Sequence, residues 1–230
     1  MPYTFESKTL LQYSDTSHFG EPRQTPAPQP VIPIPEVTDL AGYDVLINLI
    51  KREGLDRRRG EFLEIGCLLG GGTAKLAKLA ASAGKQVWVV DVFDPAFDVT
   101  QNLKGDRMAD LYREYLRGQT QEQVFRQVTA PWANSIQVLK ADSMKVRFPD
   151  GLRFVFAFVD GNHDPQWVRS DFALVMRRLH GGGWAGFHDY GGDLPEVTAA
   201  LDEMMAQYAS QIGRVEKIKD RYILLVEKKA

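Results

Sequence analysis

Two groups of residues in this chain have the types and spacing to do chemistry. The first is a glycine loop, FLEIGCLLGGGT from Phe62 to Thr73, where an apolar run breaks into glycines. Such a loop can turn backbone N–H groups toward a phosphate. The Walker arrangement needs Lys six positions after its first glycine, and counting from Gly66 that place holds Gly72. Without the lysine the terminal phosphates lose their counter-charge. The dinucleotide fingerprint needs glycine two positions after Gly66, where Leu68 stands instead and obstructs a close pyrophosphate. Both phosphate readings are weakened. What remains is Glu64-x-Gly66 at the end of an apolar run, with the cluster Gly70, Gly71 and Gly72 leading into Thr73.

Asp91 ends the next apolar run, in VVD, and Asp142 ends the one after, in KADS. A carboxylate at the first place accepts two hydrogen bonds from the vicinal hydroxyls of a ribose, each worth roughly 1.5–3 kcal/mol. Asp142, with Ser143 beside it, is placed for an adenine amino group. Taken together these features indicate an adenosyl group with a free ribose and say little about phosphate. Each acid also has a plainer reading: Glu64 as a cap or ion pair, Asp91 as a strand terminator, Asp142 as the start of a turn. Three acids at the carboxyl ends of three successive strands, where ligands bind in such sheets, favour the joint reading.

The second group lies in VDGNH (159–163) and GFHDY (186–190): Asp160, His163, His188 and Asp189. Imidazole titrates near neutral pH, so His163 or His188 can act as a base. The plainer reading of His163 is a bond to a loop carbonyl. His180 follows an apolar helical stretch and is expected to partner the dipole at its C-terminus. Cys67 reads as a small packing residue in the loop, and Trp132, in APWANS, could face the adenine.

Strands and helices must hold these groups. The runs 61–66, 86–91, 135–142, 153–160 and 182–189 are apolar on consecutive positions, as in parallel strands buried on both faces. Between them stand helical patterns at 73–84, two within 106–130, and 165–182, the last with Asp164 as N-cap and Pro165 as first residue. A further helix follows Thr38, with Leu40, Tyr43, Val45, Leu46 and Ile50 on one stripe. This alternation predicts an α/β, doubly wound, Rossmann-like sheet. After the helix 195–208, strands at 214–220 and 221–229 are joined by a turn too short for anything but an antiparallel hairpin. The long segment from Phe93 to Trp132 is an insert that shapes an acceptor pocket.

Six of the twelve prolines fall between Pro22 and Pro35. Residues 1–37 are therefore expected to be an extended arm, and 38–230 the catalytic domain. The arm either closes the pocket or embraces a second subunit, which would make a homodimer. The formal charge of -2 and a pI near 6.1 leave no footprint for nucleic acid or an anionic membrane. One cysteine excludes an internal disulfide or a cysteine-based zinc site. With no signal peptide pattern and no window near the ~18 apolar residues of a membrane helix, a cytoplasmic protein is expected.

At this point the residues resemble the class I S-adenosylmethionine-dependent methyltransferases. The resemblance rests on the EIG-plus-glycines loop, the acid of VVD, KAD, VDGNH, LHGGGWAGFHDY and the terminal hairpin, over roughly residues 60–228. Pairing DGNH with GGGWAGFHDY is similar to small-molecule O-methyltransferases of the macrocin type and to cephalosporin-hydroxylase-like proteins. It implies a seven-stranded sheet with its last strand antiparallel, and S-adenosylmethionine as cofactor. The implied cofactor contacts are Glu64, Gly66, Cys67, Gly70, Thr73, Asp91, Asp142, Ser143 and Asp160. In metal-dependent relatives an acid ending the fourth strand works with an acidic pair after the fifth, which here means Asp160 with His188 and Asp189. Two carboxylates and water suit magnesium, whereas the imidazole favours a transition metal. A metal-free site would use His188 or His163 as base, so the catalytic candidates are His188, His163 and Asp160. The acceptor would be a small-molecule hydroxyl, of a sugar or specialised metabolite. Rival readings are a metal-dependent hydrolase or oxygenase-like enzyme on the same fold, a nicotinamide oxidoreductase, and a silent binding module.

Overall fold

The apolar runs become seven strands: β1 (Glu61–Ile65), β2 (Val87–Asp91), β3 (Ile136–Lys140), β4 (Phe154–Val159), β5 (Leu179–Phe187), β6 (Ile212–Ile218) and β7 (Ile223–Lys228). The computed structural model describes residues 39 and 41–230, apart from 108, 111, 113–115 and 117. The described residues fall in one compact unit, and the expected proline arm lies outside them. The strands form one sheet in the order β3-β2-β1-β4-β5-β7-β6. β1 to β5 pair in parallel, and β7 runs antiparallel to both β5 and β6. The doubly wound seven-stranded sheet with an antiparallel last strand is therefore present. Strand order reverses between β1 and β4, so the crevice for a ligand opens at their carboxyl ends.

Helices cover both faces, which is why β4, FVFAFV, is buried at every position. Phe156 and Phe158 pack with α1 (Tyr43–Arg52) and α2 (Gly71–Ser82). Ala157 and Val159, pointing the other way, pack with α4 (Pro165–Arg178) and α5 (Pro195–Gln207). Each fully buried Phe of β4 contributes roughly 1.5–3 kcal/mol. The crossover from β2 to β3 contains helical residues Ala109, Asp110, Tyr112 and Leu116, then α3 (Gln121–Thr129), started by a Thr120–Gln123 capping box. Both helical stretches expected there are present.

Details differ from the sequence reading. On α1 the buried stripe is Tyr43, Leu46, Leu49 and Ile50, while Val45 is half-buried and Leu40 lies outside the described residues. The Asp39 carboxylate accepts from the N–H groups of Gly42 and Tyr43 at 2.9 and 3.0 Å and so starts the helix. Asp164 caps α4 as expected, accepting from Gln166 N–H at 2.8 Å. That helix stops at Arg178 because Leu179 is extended (φ -67°, ψ 143°). His180 is consequently a β5 residue, and its expected role at a helix end is corrected. No helix among the described residues is long and apolar enough to cross a membrane.

Candidate active site

The glycine loop joins β1 to α2, and its glycines answer to the protein's own packing. Gly66 has φ +81°, and a β-carbon there would fall 1.9 Å from the Asp160 carbonyl oxygen. The loops after β1 and β4 thus lie flush, tied by Asp160 N–H donating to Ile65 O at 2.8 Å. Gly70, with φ +89°, leaves room for the Phe125 ring, and Gly72 for the Tyr43 ring, 2.3 Å from where a β-carbon would stand. Leu68 holds a left-handed φ of +48° without being glycine, one of several such residues around this edge with Phe93 (+53°) and Asp189 (+61°). Backbone strain of this kind concentrates at functional sites.

Glu64 lies beneath this floor, fully buried, and does not reach the cavity wall. One oxygen accepts from the Tyr43 hydroxyl and the other from Thr73 Oγ1 at 2.6 Å. Burial pushes the carboxyl up to about 7 while those two bonds pull against it. The structure therefore gives Glu64 and Thr73 a supporting place under the loop and puts Tyr43, which sequence reasoning missed, over it. Gly70 also stands back from the cavity, against Phe125.

Gly66, Cys67 and Asp91 line the cavity, as do Ser143 and Asp160. Asp91 Oδ2 accepts from Cys67 N–H at 2.9 Å and from the Cys67 thiol at 3.2 Å, and Oδ1 accepts from Phe93 N–H at 2.6 Å. Burial and the Asp91 carboxylate push the Cys67 thiol well above its ordinary value, so it stays protonated and unreactive. The buried Gln121 amide donates to Leu68 O at 2.9 Å and approaches Asp91 Oδ1 at 3.3 Å, bracing the loop from α3. Asp142 is spent elsewhere, accepting from Trp167 Nε1–H at 3.0 Å and Met144 N–H at 3.0 Å and pairing with Lys145. It does not line the cavity, whereas Ser143 does. Trp132 packs against the core clusters near α2 and α3 and is not among the lining residues.

At the ends of β4 and β5 the four expected groups converge. His188 Nδ1 lies 3.2 Å from Asp160 Oδ1 and 3.2 Å from Asp189 Oδ2. His163 Nε2 lies 2.8 Å from Asp189 Oδ2 and 3.9 Å from Asp160 Oδ1. Its other nitrogen, Nδ1, meets Asp98 Oδ2 at 2.5 Å. Asp98 belongs to the insert after β2, and sequence reasoning missed it because FDPAFDVT has no periodicity to mark its direction. Burial opposes charge on both imidazoles, yet the surrounding carboxylates prevail and push His163 up to about 10 and His188 up to about 11. The same contacts hold Asp189 well below the usual carboxylate range, against burial. Asp160, His163 and Asp189 present donor atoms all within 4.8 Å of one another. That group has His163 where the sequence reading had His188, which lies 3.2 Å from each acid.

Floor and cluster share one cavity of about 550 Å³. The insert forms its outer wall through Phe97, Asp98, Thr100, Asn102 and Tyr112. Besides the His163–Asp98 contact, Asn162 Nδ2–H donates to Phe97 O at 3.3 Å and Leu103 N–H to Asp193 O at 3.1 Å, anchoring this wall. Cofactor-type contacts from β1, β2 and β3 thus face proton-handling groups from β4 and β5 across one space, the layout that a group transfer between two bound reactants needs.

Known proteins share this fold. The fold is similar to that of the O-methyltransferase NovP, at 16% identity and a TM-score of 0.58, over 84% of this chain and 81% of that one. It is similar to CalS11, a TDP-rhamnose 3'-O-methyltransferase, at 16% identity and a TM-score of 0.55, over 83% and 79%. TomG from Streptomyces achromogenes, an O-methyltransferase solved with S-adenosylmethionine, gives 12% identity and a TM-score of 0.52 over 84% and 89%. No curated protein matches the chain by sequence. The family model described as a methyltransferase domain matches residues 63–190, a stretch that runs from the glycine loop through the His188–Asp189 pair. On that match the chain belongs to the methyltransferase-domain family, and it is an S-adenosylmethionine-dependent methyltransferase.

Proposed function

We propose that the enzyme methylates a hydroxyl of a small molecule, with His163 taking the hydroxyl proton. The observation that carries this reading is His163 itself. Asp98 fixes its Nδ1, and its Nε2 faces Asp160 and Asp189 inside the cavity. A base oriented through its far nitrogen by a carboxylate is the arrangement that proton abstraction from a hydroxyl favours. The acceptor oxygen attacks the methyl carbon, the carbon–sulfur bond breaks, and its electron pair leaves on sulfur as a neutral thioether. The hydroxyl proton goes to His163 Nε2. Carboxylates on both sides hold His163 protonated, so this role requires Asp189 to be drawn away from Nε2, as a bound cation would do. The proposed cofactor contacts are Gly66, Cys67, Asp91 and Ser143, with Asp91 on the ribose. The O-methyltransferase activity of NovP, CalS11 and TomG supports a hydroxyl acceptor.

With His163 kept as the base, Asp160, His188 and Asp189 would be the ligands of a divalent cation. Their donor atoms stand 3.2 Å apart where His188 meets each acid, and neighbouring ligands in an octahedral shell stand about 3 Å apart. A cation there would supply Lewis acidity and lower the pKa of the acceptor hydroxyl. Calorimetry with S-adenosylhomocysteine and NAD tests the cofactor, and binding of NAD alone would refute the reading. Elemental analysis of the wild type and Asp189→Ala tests the cation, and equal metal content in both would remove Asp189 as a ligand.

A further inference from the structure

The cavity holds more negative charge than methyl transfer uses. Asp160 and Asp189 serve the histidines or a cation, Asp98 serves His163, and Asp91 serves the loop amides. Asp94, Asp106 and Asp193 also line the cavity and have no part in those roles. They come from two segments, the insert and the turn after β5. Asp94 and Asp106 flank Asp98 in the insert, and Asp193 sits in the turn after β5, joined to the insert by the Leu103–Asp193 bond. The side-chain partners of the two insert acids are neutral: Asp94 Oδ1 accepts from Ala96 N–H at 3.0 Å, and Asp106 Oδ2 from the Asn102 amide at 3.2 Å. Neither bond cancels the carboxylate charge.

Among the described residues, Arg107 is the one lysine or arginine lining the cavity. Its Nε–H and Nη2–H donate to the Gln101 amide oxygen at 2.9 and 3.1 Å, with that amide turned to present oxygen. Two aromatic rings, Phe97 and Trp167, also line the space and meet edge to face at 5.6 Å between centroids. Aromatic faces attract cations and do nothing for phosphates.

We propose that the acceptor carries a protonated amine beside the hydroxyl that is methylated, and that the cavity rejects phosphorylated acceptors such as nucleoside-diphosphate sugars. This rests on the methyltransferase reading above and names its substrate class. An ammonium group gains from the carboxylates that line this space, whereas a diphosphate among the same groups is repelled. The acceptor class thus differs from the TDP-rhamnose named for CalS11.

The test is calorimetric titration of the S-adenosylhomocysteine-loaded protein, with magnesium present, using kanamycin, maltotriose and UDP-glucose as amine, neutral and diphosphate probes. Kanamycin is expected to bind at least roughly tenfold more tightly than either other probe at low salt, with the advantage shrinking as salt rises. The Asp106→Asn/Asp193→Asn double variant, shown to melt cooperatively, is expected to lose about fivefold or more of the kanamycin affinity. UDP-glucose binding as tightly as kanamycin would overturn the proposal, as would equal affinity or no binding for all three. An unchanged kanamycin affinity in the double variant would overturn it too. Failure of S-adenosylhomocysteine itself to bind would instead strike the methyltransferase reading, so the two failures are told apart.

Discussion

Gly66 and Asp160 touch so closely that a β-carbon on the glycine would enter the aspartate's carbonyl oxygen, at 1.9 Å. The glycine loop and the strand end that carries Asp160 are therefore one packed unit. Gly66→Ala adds this clash to a φ of +81°, and is expected to destabilise the fold by about 3 kcal/mol or more and to abolish S-adenosylhomocysteine binding. Thermal melting and calorimetry check both. A melting temperature within a few degrees of wild type would show that the loops can part without cost.

Asp91 holds the loop through Cys67 N–H and Phe93 N–H while facing the cavity. Asp91→Ala is expected to weaken S-adenosylhomocysteine binding by about tenfold or more, the loss of one charged hydrogen bond. Unchanged affinity in a folded variant would sink the ribose role.

Asp98 reaches His163 from the insert and, among the described residues, bonds to no other member of the cluster at the ends of β4 and β5. As a positioning residue it should act on turnover and not on cofactor binding. Asp98→Asn is expected to lower kcat roughly tenfold to a hundredfold with S-adenosylhomocysteine affinity unchanged, and Asp98→Glu to recover part of the loss. An equal fall in cofactor affinity would mean that Asp98 merely holds the insert in place.

Glu64 makes stability depend on pH. Burial, opposed by the Thr73 and Tyr43 bonds, raises its carboxyl from the usual 4.5 to about 7 in the folded protein. Between those values the folded state holds more of the proton than the unfolded chain does. Its contribution is thus present below 4.5 and lost as pH rises through 7. Against a Glu64→Gln reference, wild-type stability is expected to fall across this window by something on the order of 3 kcal/mol. Chemical denaturation of both proteins at pH 4.5, 6 and 8 measures it, and a constant difference would refute the buried-proton account.

Much of the fold was legible in the sequence because its cause is local. Consecutive apolar runs such as RFVFAFVD report burial on both faces, Asp164-Pro165 starts α4, and the short link between RVEKIKD and RYILLVEKK forces a hairpin. The start of β5 was misread because His180 and the glycines after it carry no apolar period. The strand-end acids could be found for the same local reason, since a carboxylate that ends a buried run has few other places to go. Which of them faces the cavity could not be read. Asp91 and Asp142 look alike in sequence, yet Trp167, far along the chain, engages Asp142, which does not line the cavity, while Asp91, though Gln121 approaches it from α3, does.

The sequence by itself determined that an α/β sheet would bring Asp160, His163, His188 and Asp189 to one edge, because strand periodicity sets which end of each run they occupy. Only the tertiary structure decided how they pair. His163 sits between Asp98 and Asp189, separated from them by 65 and 26 residues, and no local pattern encodes contacts across such distances. The glycine loop shows the same division. Its composition announced that side chains were unwelcome, but the reasons, the Asp160 carbonyl against Gly66 and the Tyr43 ring against Gly72, come from other elements folded onto it. Backbone freedom is written in the residue, and the neighbour that demands it is supplied by packing.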